Sequence, residues 1–125
     1  MTFKFSTASQ QRLIGVHPDL VKVMRHAITI SSIDFKVLEG VRTLARQKQL
    51  VAEGASRTLN SRHLTGHAVD VVPMIAGKIR WDWPLYHRLA LAIKQAAIDK
   101  SVPIEWGGDW KGGFKDGPHW QLPRR

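Results

Sequence analysis

The stretch Ser61-Arg62-His63-Leu64-Thr65-Gly66-His67-Ala68-Val69-Asp70 decides how this chain is read. Gly66 loosens a turn that carries His63. The alternation from Ala68 to Val72 then predicts a strand, with Pro73 expected to end it. On such a strand Ala68, Asp70 and Val72 share one face, while Val69 and Val71 share the other. A carboxylate flanked by apolar residues is costly to bury unless it is paired or bound to a cation. Ala68 is small, so Asp70 can point into an open cavity beside His63. His67 should face the opposite side of the strand.

A second cluster, Asp116-Gly117-Pro118-His119-Trp120, lies near the end of the chain. Gly-Pro makes a tight turn, and His119 begins a short strand whose other face carries Trp120 and Leu122. Asp116 then sits across the turn from His119. Two histidines and one aspartate, His63, Asp70 and His119, form a three-ligand zinc set that leaves a fourth position for water. Zinc lowers the pKa of such a water to about 7 and polarises a carbonyl. Asp116, a carboxylate that need not ligate, is placed to act as the base and to pass the proton to a leaving amine. A His and an Asp seven residues apart are by themselves a weak signal, and a packed-core reading stays open at this point.

Working outward, Leu20, Val21, Met24, Ala27 and Ile28 recur at helical spacing after His17-Pro18-Asp19. Phe35 to Val41 reads as a short strand with Phe35 and Val37 on one face. A helix is expected from Thr43 through Ala52, with Gly54 as its stop. A longer one is expected from about Pro84 to Asp99, its apolar stripe made by Leu85, Leu89, Ala92, Ile93, Ala96 and Ala97. Short strands fit residues 104–106 and 119–122. Helices and strands mix without βαβ regularity, which points to an α+β domain with a small antiparallel sheet and flanking helices.

The chain has 125 residues, 43% of them hydrophobic, which is too apolar for disorder and the size of one domain spanning residues 1–125. It has no cysteine, which excludes disulfides, thiolate metal sites and a cysteine nucleophile. The formal charge of +9 predicts an anionic partner. The basic residues are scattered from Lys4 to Arg125 with no nucleic-acid motif, so a generally solvated basic surface stays open beside a polyanion site. No stretch approaches the ~20 apolar residues of a membrane span, and the first residues carry no signal-peptide pattern, so synthesis in the cytoplasm is expected.

The first motif resembles the Ser-x-His-x-x-Gly-x-Ala-x-Asp pattern of the zinc-dependent peptidases of the M15 family, met here by Ser61, His63, Gly66, Ala68 and Asp70. Such a match arises by chance on the order of once in a million start positions. The family's second motif, an acidic residue three before a histidine, is met by Asp116 and His119. Aspartate there, followed by Pro-His-aromatic, looks most like the phage endolysin branch, the L-alanyl-D-glutamate endopeptidases. The resemblance runs from about Glu39 to Gln121. It implies a Hedgehog/DD-peptidase-like fold, one Zn2+ per chain, and a monomeric endolysin that opens the bacterial host's wall. The substrate it implies is the peptidoglycan stem peptide, cut at L-Ala–D-Glu. It further implies no separate wall-binding domain, action on the wall after release from the infected cell's cytoplasm, and a holin-type partner for that release. The charge of +9 suits an anionic cell envelope.

Around Glu39-Gly40-Val41-Arg42-Thr43 the chain is similar to the family segment that carries a substrate-facing arginine. Arg42 is the residue to hydrogen-bond the scissile carbonyl or a substrate carboxylate, the alternative being a surface ion pair. Gln47, one helical turn from Thr43, either lines the same cleft or is a helix-surface amide. Ser61 either orients a ligand or substrate group or caps its turn. The tryptophans of residues 105–110 form either a cleft wall or core packing. Three rival functions stand beside the endopeptidase. They are a D-Ala-D-Ala carboxypeptidase or dipeptidase of the same family, a non-catalytic zinc-containing wall-binding module, and a basic nucleic-acid binder.

Overall fold

The computed structural model describes residues 2–56 and 58–124; Met1, Arg57 and Arg125 lie outside the described residues. The chain is an α+β domain. Its helices are α1 (Thr7–Arg12), α2 (Pro18–Ile30), α3 (Leu44–Ala52) and α4 (Trp83–Asp99). Its strands are β1 (Asp34–Glu39), β2 (Ala68–Ile75), β3 (Lys78–Ile79), β4 (Glu105–Trp106) and β5 (His119–Gln121). The antiparallel sheet runs β1-β2-β5-β4, and β3 pairs with the far end of β2.

Alternation along β2 divides the molecule in two. Val69 and Val71 join Phe35, Val37, Trp106 and Trp120 in the main core, with Leu20, Met24, Leu89 and Ile93 of α2 and α4. Trp106 and Trp120 stack at 5.6 Å between ring centroids. Asp70 points the other way, towards a cleft. Burial of large apolar side chains at about 1.5–3 kcal/mol each holds β2 in register. A one-residue slip would turn Asp70 into the core.

The expected elements recur with shifts that have local causes. Thr43 caps α3 rather than starting it, its hydroxyl accepting from the Arg46 N–H at 3.1 Å. Pro73 does not end β2, which continues to Ile75. That side of β2 bonds to β5 over Ala68–Asp70 and to β3 from Met74 onward, so Pro73 falls in the gap between two partners. Its carbonyl still accepts from the Arg80 N–H at 3.0 Å. The hairpin to β3, turning through Ala76 and Gly77 at positive φ, was not legible in the pattern. Nor was α1, which covers the open edge of β1. There the Ser9 hydroxyl accepts from the Val37 N–H at 3.1 Å, and the Arg12 guanidinium donates to the Val37 carbonyl at 3.1 Å.

A bulge in β1 changes the composition of the cleft. Val37 faces Val71, but the next pair is Glu39 with Asp70, so Leu38 is the extra residue. Strict alternation would place Glu39 on the core face with Phe35 and Val37. The bulge re-aims it to the face of Asp70.

Gly66 ends the turn before β2 at φ +78° and lies against the Gly15 carbonyl. A β-carbon there would stand 2.5 Å from the Gly15 oxygen. Gly66→Ala is expected to lower stability by more than about 2 kcal/mol, read as a lower denaturant midpoint at unchanged slope. A wild-type midpoint would show that this turn is not packed as described.

Candidate metal centre and active-site cleft

The sheet register assembles the site. Asp70 lies opposite Glu39 of β1 on one side and opposite His119 of β5 on the other, so three polar residues form one row across the strands. His63 enters from the short 3-10 turn Arg62–Thr65, which Ser61 caps by accepting from the His63 N–H at 3.2 Å. His63 and His119 are buried, with ring centroids 5.0 Å apart. His63 Nε2 lies 3.2 Å and His119 Nδ1 3.3 Å from the same oxygen, Asp70 Oδ1.

Which ring nitrogens carry protons follows from their other partners. His63 Nδ1 is 2.8 Å from the Gly40 carbonyl, which can only accept, so Nδ1 holds the proton and Nε2 is left with its lone pair. On the other side Gln121 Nε2 donates to the Glu105 carboxylate at 3.0 Å, which turns Gln121 Oε1 towards His119. His119 Nε2–H donates to that oxygen at 2.8 Å, leaving the Nδ1 lone pair facing Asp70. Two lone pairs and a carboxylate oxygen therefore converge, and they repel unless positive charge sits between them.

His63, Asp70 and His119 form a buried group able to hold a metal ion, with one donor atom from each all within 4.8 Å of one another. Ligands 2.0–2.2 Å from a tetrahedral ion stand about 3.3–3.5 Å apart. The observed separations of 3.2 and 3.3 Å already match that spacing. The Gly40 carbonyl and Gln121 supply the outer hydrogen bonds that usually orient metal-ligating histidines.

The electrostatics agree. Without metal a proton takes that place: burial pushes the Asp70 carboxyl up, but hydrogen bonds and positive charge from His119 and His63 outweigh it and hold it far below the usual carboxylate range. Burial pushes the His119 imidazole down, yet Asp70 overrides this and raises it above its ordinary value. Asp116 is displaced upwards, first by burial and then by the charge of Asp70. It lines the cleft but is not one of the three converging donors. Its turn is fixed by three contacts: the Asp116 N–H on the Gly107 carbonyl at 3.0 Å, the Trp106 indole N–H on the Gly117 carbonyl at 2.8 Å, and the Tyr86 ring packed under Gly117.

The cleft holds about 460 Å3 and is lined by Arg42, Ser61, Trp110, Phe114 and Asp116 among others. Arg42 forks onto Glu39, with Nε and Nη2 at 2.7 and 2.8 Å from the two carboxylate oxygens. Its Nη1 donates to Gln47 Oε1 at 2.6 Å. Gln47, considered above as either a cleft-lining residue or a helix-surface amide, is instead fully buried; besides accepting from Arg42 it donates through Nε2 to the Ser56 hydroxyl and the Thr58 carbonyl, residues that line the cleft. The tryptophans divide: Trp106 is core, whereas Trp110 stands 5.1 Å from the His119 ring and stacks on Phe114 at 6.2 Å. His67 bonds Thr65 at 2.7 Å and faces His17, away from Asp70. Glu39, Glu105 and Gln121 went unrecognised in the sequence, since only the bulge and the β4–β5 register bring them to the site.

An open antiparallel sheet with a His–Asp–His group able to hold a metal ion on its floor and a carboxylate turn at its rim defines a small α+β domain with a candidate metal-binding cleft. The family model described as phage L-alanyl-D-glutamate peptidase matches residues 1–122, and the chain belongs to that family. It is 36% identical to the L-alanyl-D-glutamate peptidase of Escherichia phage T5, over 98% of this chain and 99% of that one. It is 44% identical to the enzyme of the same name from Listeria phage A118, over 74% of this chain but only 31% of that longer protein. Among solved structures, the Serratia marcescens L-Ala D-Glu endopeptidase ChiX superposes with a TM-score of 0.89 at 52% identity, covering 96% of this chain and 90% of ChiX.

The converging triad makes metal binding and protonation compete. In the metal-free protein the raised His119 contributes stability that is complete below the ordinary imidazole pKa of about 6.5 and is lost as pH rises through its raised value. The contribution of Asp70 is present above about 3.9 and fades only well into acid. The metal-free chain is thus best served between these limits, and bound metal adds most above them. The stabilisation on adding metal, read from the rise in Tm, is expected to be larger at pH 8 than at pH 5, reaching about 4 kcal/mol at a thousandfold excess over Kd. A rise independent of pH would contradict the proton assignment. Separately, Gln121→Ala removes the acceptor that orients His119 and is expected to weaken metal affinity by about 10–100-fold in chelator competition. Unchanged affinity would mean that His119 is held by other contacts.

Proposed function

We propose that this chain is a zinc-dependent peptidoglycan endopeptidase that cuts the L-alanyl–D-glutamate bond of stem peptides during phage-type lysis. The observation that carries this reading is the convergence of two imidazole lone pairs and the Asp70 carboxylate at the floor of a cleft whose rim bears Asp116. With no thiolate in the set and a fourth direction open to the cleft, the donors suit catalytic zinc, one ion per chain. Zinc held there would polarise the scissile carbonyl and bring the pKa of a water to about 7.

The other roles belong to the chain itself. Asp116, raised by burial and by Asp70, accepts the proton of the attacking water and returns it to the leaving amine of glutamate. Arg42 spends three of its five N–H groups on Glu39 and Gln47. Its remaining donors face the carbonyl oxygen as charge develops there. Glu39 and Gln47 thereby position Arg42 rather than touch substrate. Trp110 and Phe114 wall the cleft and shed water from it. The assignment is to a monomer whose single domain carries the activity. The charge of +9 favours approach to an anionic envelope. No helix among the described residues is long and apolar enough to cross a membrane, and access to the wall is assigned to a holin-type partner.

Mass spectrometry of digested peptidoglycan separates this reading from its nearest rival. New N-terminal D-glutamate is expected, whereas release of free D-alanine would make the chain a carboxypeptidase or dipeptidase. Asp116→Asn is expected to cut turnover by about 10²–10⁴-fold while metal content stays near one per chain. His63→Ala and His119→Ala are expected to lose the metal itself. Wild-type turnover in the Asp116 variant, or loss of its metal, would remove Asp116 from the role of base.

A further inference from the structure

Trp110 is a fixed aromatic side chain that belongs neither to the core nor to the converging donors. It stands outside the cluster that holds Trp106 and Trp120, half-buried at the cleft. Four contacts hold it there. Its backbone N–H donates to the Gly107 carbonyl at 3.3 Å, and Lys115 Nζ donates to its own carbonyl at 2.9 Å. Its ring lies 5.1 Å from that of His119 and 6.2 Å from that of Phe114, with the Trp110 and Phe114 planes only 24° apart. The two rings thus make one extended, nearly flat apolar wall that begins beside a donor of the triad. Among the described residues the Trp110 indole N–H has no hydrogen-bond partner. A rigid ring with an open face and an unused donor at its edge is a recognition surface rather than a packing element.

The proposed substrate has a neighbour of the cut bond that fits such a surface. In peptidoglycan the nitrogen of the first alanine is acylated by the lactyl ether of an N-acetylated amino sugar. One residue spans at most about 3.6 Å of chain, so with the alanyl carbonyl at the His63–Asp70–His119 group the sugar begins a single residue away. Trp110 stands from His119 at that range. On the other side of the bond is glutamate, whose negative charge the electron-rich face of an aromatic ring disfavours. A pyranose instead presents C–H groups on its faces and hydroxyls at its edge, which matches an indole face with an N–H at its rim. Ser56, Thr58 and Asn60 line the same cleft and offer hydroxyl and amide groups to the sugar's edge.

We propose that Trp110 and Phe114 form a stacking subsite for the N-acetylated amino sugar that bears the stem peptide, and that they set a preference for peptide still attached to its sugar over free peptide. The inference rests on the endopeptidase reading. Stacking on a ring that is already held in place adds binding without the cost of ordering a side chain. It acts alike on bound substrate and transition state, so it is read chiefly in KM.

The test uses the metal-loaded full chain and two synthetic stem peptides of one sequence, both blocked at the first alanine. One carries N-acetylmuramic acid through its lactyl group and the other carries lactate alone, so they differ only in the sugar. Wild type is expected to prefer the sugar-bearing peptide by about tenfold in kcat/KM, carried by KM. Trp110→Leu should bring that ratio to within about twofold of unity. Any loss of turnover from a wetter cleft falls on both peptides and cancels in the ratio. Trp110→Phe keeps a flat ring and should retain part of the preference. Phe114→Ala shortens the wall and should lower the ratio by about threefold; it decides where Trp110→Leu also costs the metal held beside it. Equal kcat/KM for both peptides in wild type, or an undiminished ratio in the deciding variant, would overturn the subsite and leave the endopeptidase intact. Cleavage of neither peptide would sink the endopeptidase reading and the subsite with it.

Discussion

Three donors meet around Asp70 Oδ1, and the protein alone cannot satisfy them together. The far nitrogens of His63 and His119 are tied to acceptors, so both near nitrogens present lone pairs to a carboxylate. Positive charge must enter the triad, as a proton on an imidazole or as a metal ion. Buried polar groups in this arrangement are costly when their charge is unbalanced. The surrounding structure is organised to hold them there nonetheless. Gly40 offers a carbonyl where a side chain would collide with the Arg12 backbone. Glu105 fixes the amide of Gln121, and Gln121 fixes His119.

The cohesion that offsets this strain lies on the opposite face of the same strands. Val69, Val71 and Trp120 bury themselves against α2 and α4, and in doing so set the pleat that turns Asp70 and His119 into the cleft. One apolar face and one chemical face are two consequences of the two-residue period of a strand. Core packing and site geometry are therefore a single constraint. A change that slips β2 by one residue would destroy both together.

Much of this was legible in the residues. His63, Gly66, Asp70, Asp116 and His119 stand at spacings that place a turn, a strand and a second turn in order, and the apolar stripes of α2 and α4 mark the helices that cover them. Other features followed rules that the spacing does not carry. Pro73 reads as a strand end until a gap between β5 and β3 is seen to accommodate it. Glu39 reads as core-facing until the bulge at Leu38 turns it outward. Gln47 reads as either a cleft-lining residue or a helix-surface amide, yet tertiary contacts bury it behind Arg42. Trp106 and Trp110, four residues apart in one segment, part company because only the first falls on β4, against Trp120.

The sequence by itself determined the donor types, the absence of sulfur among them, the faces of β2 and the family motifs, because these depend on residue identity and on local periodicity. Tertiary structure alone decided the proton positions on the two imidazoles, the bracing of Arg42 by Glu39 and Gln47, and the tying of Arg62 and Arg124 to distant main-chain carbonyls. These depend on register, on a one-residue bulge and on contacts between segments some sixty positions apart. Local pattern carries no information about which distant backbone group will stand within 3 Å of a side chain, and hydrogen-bond chemistry is settled at that distance.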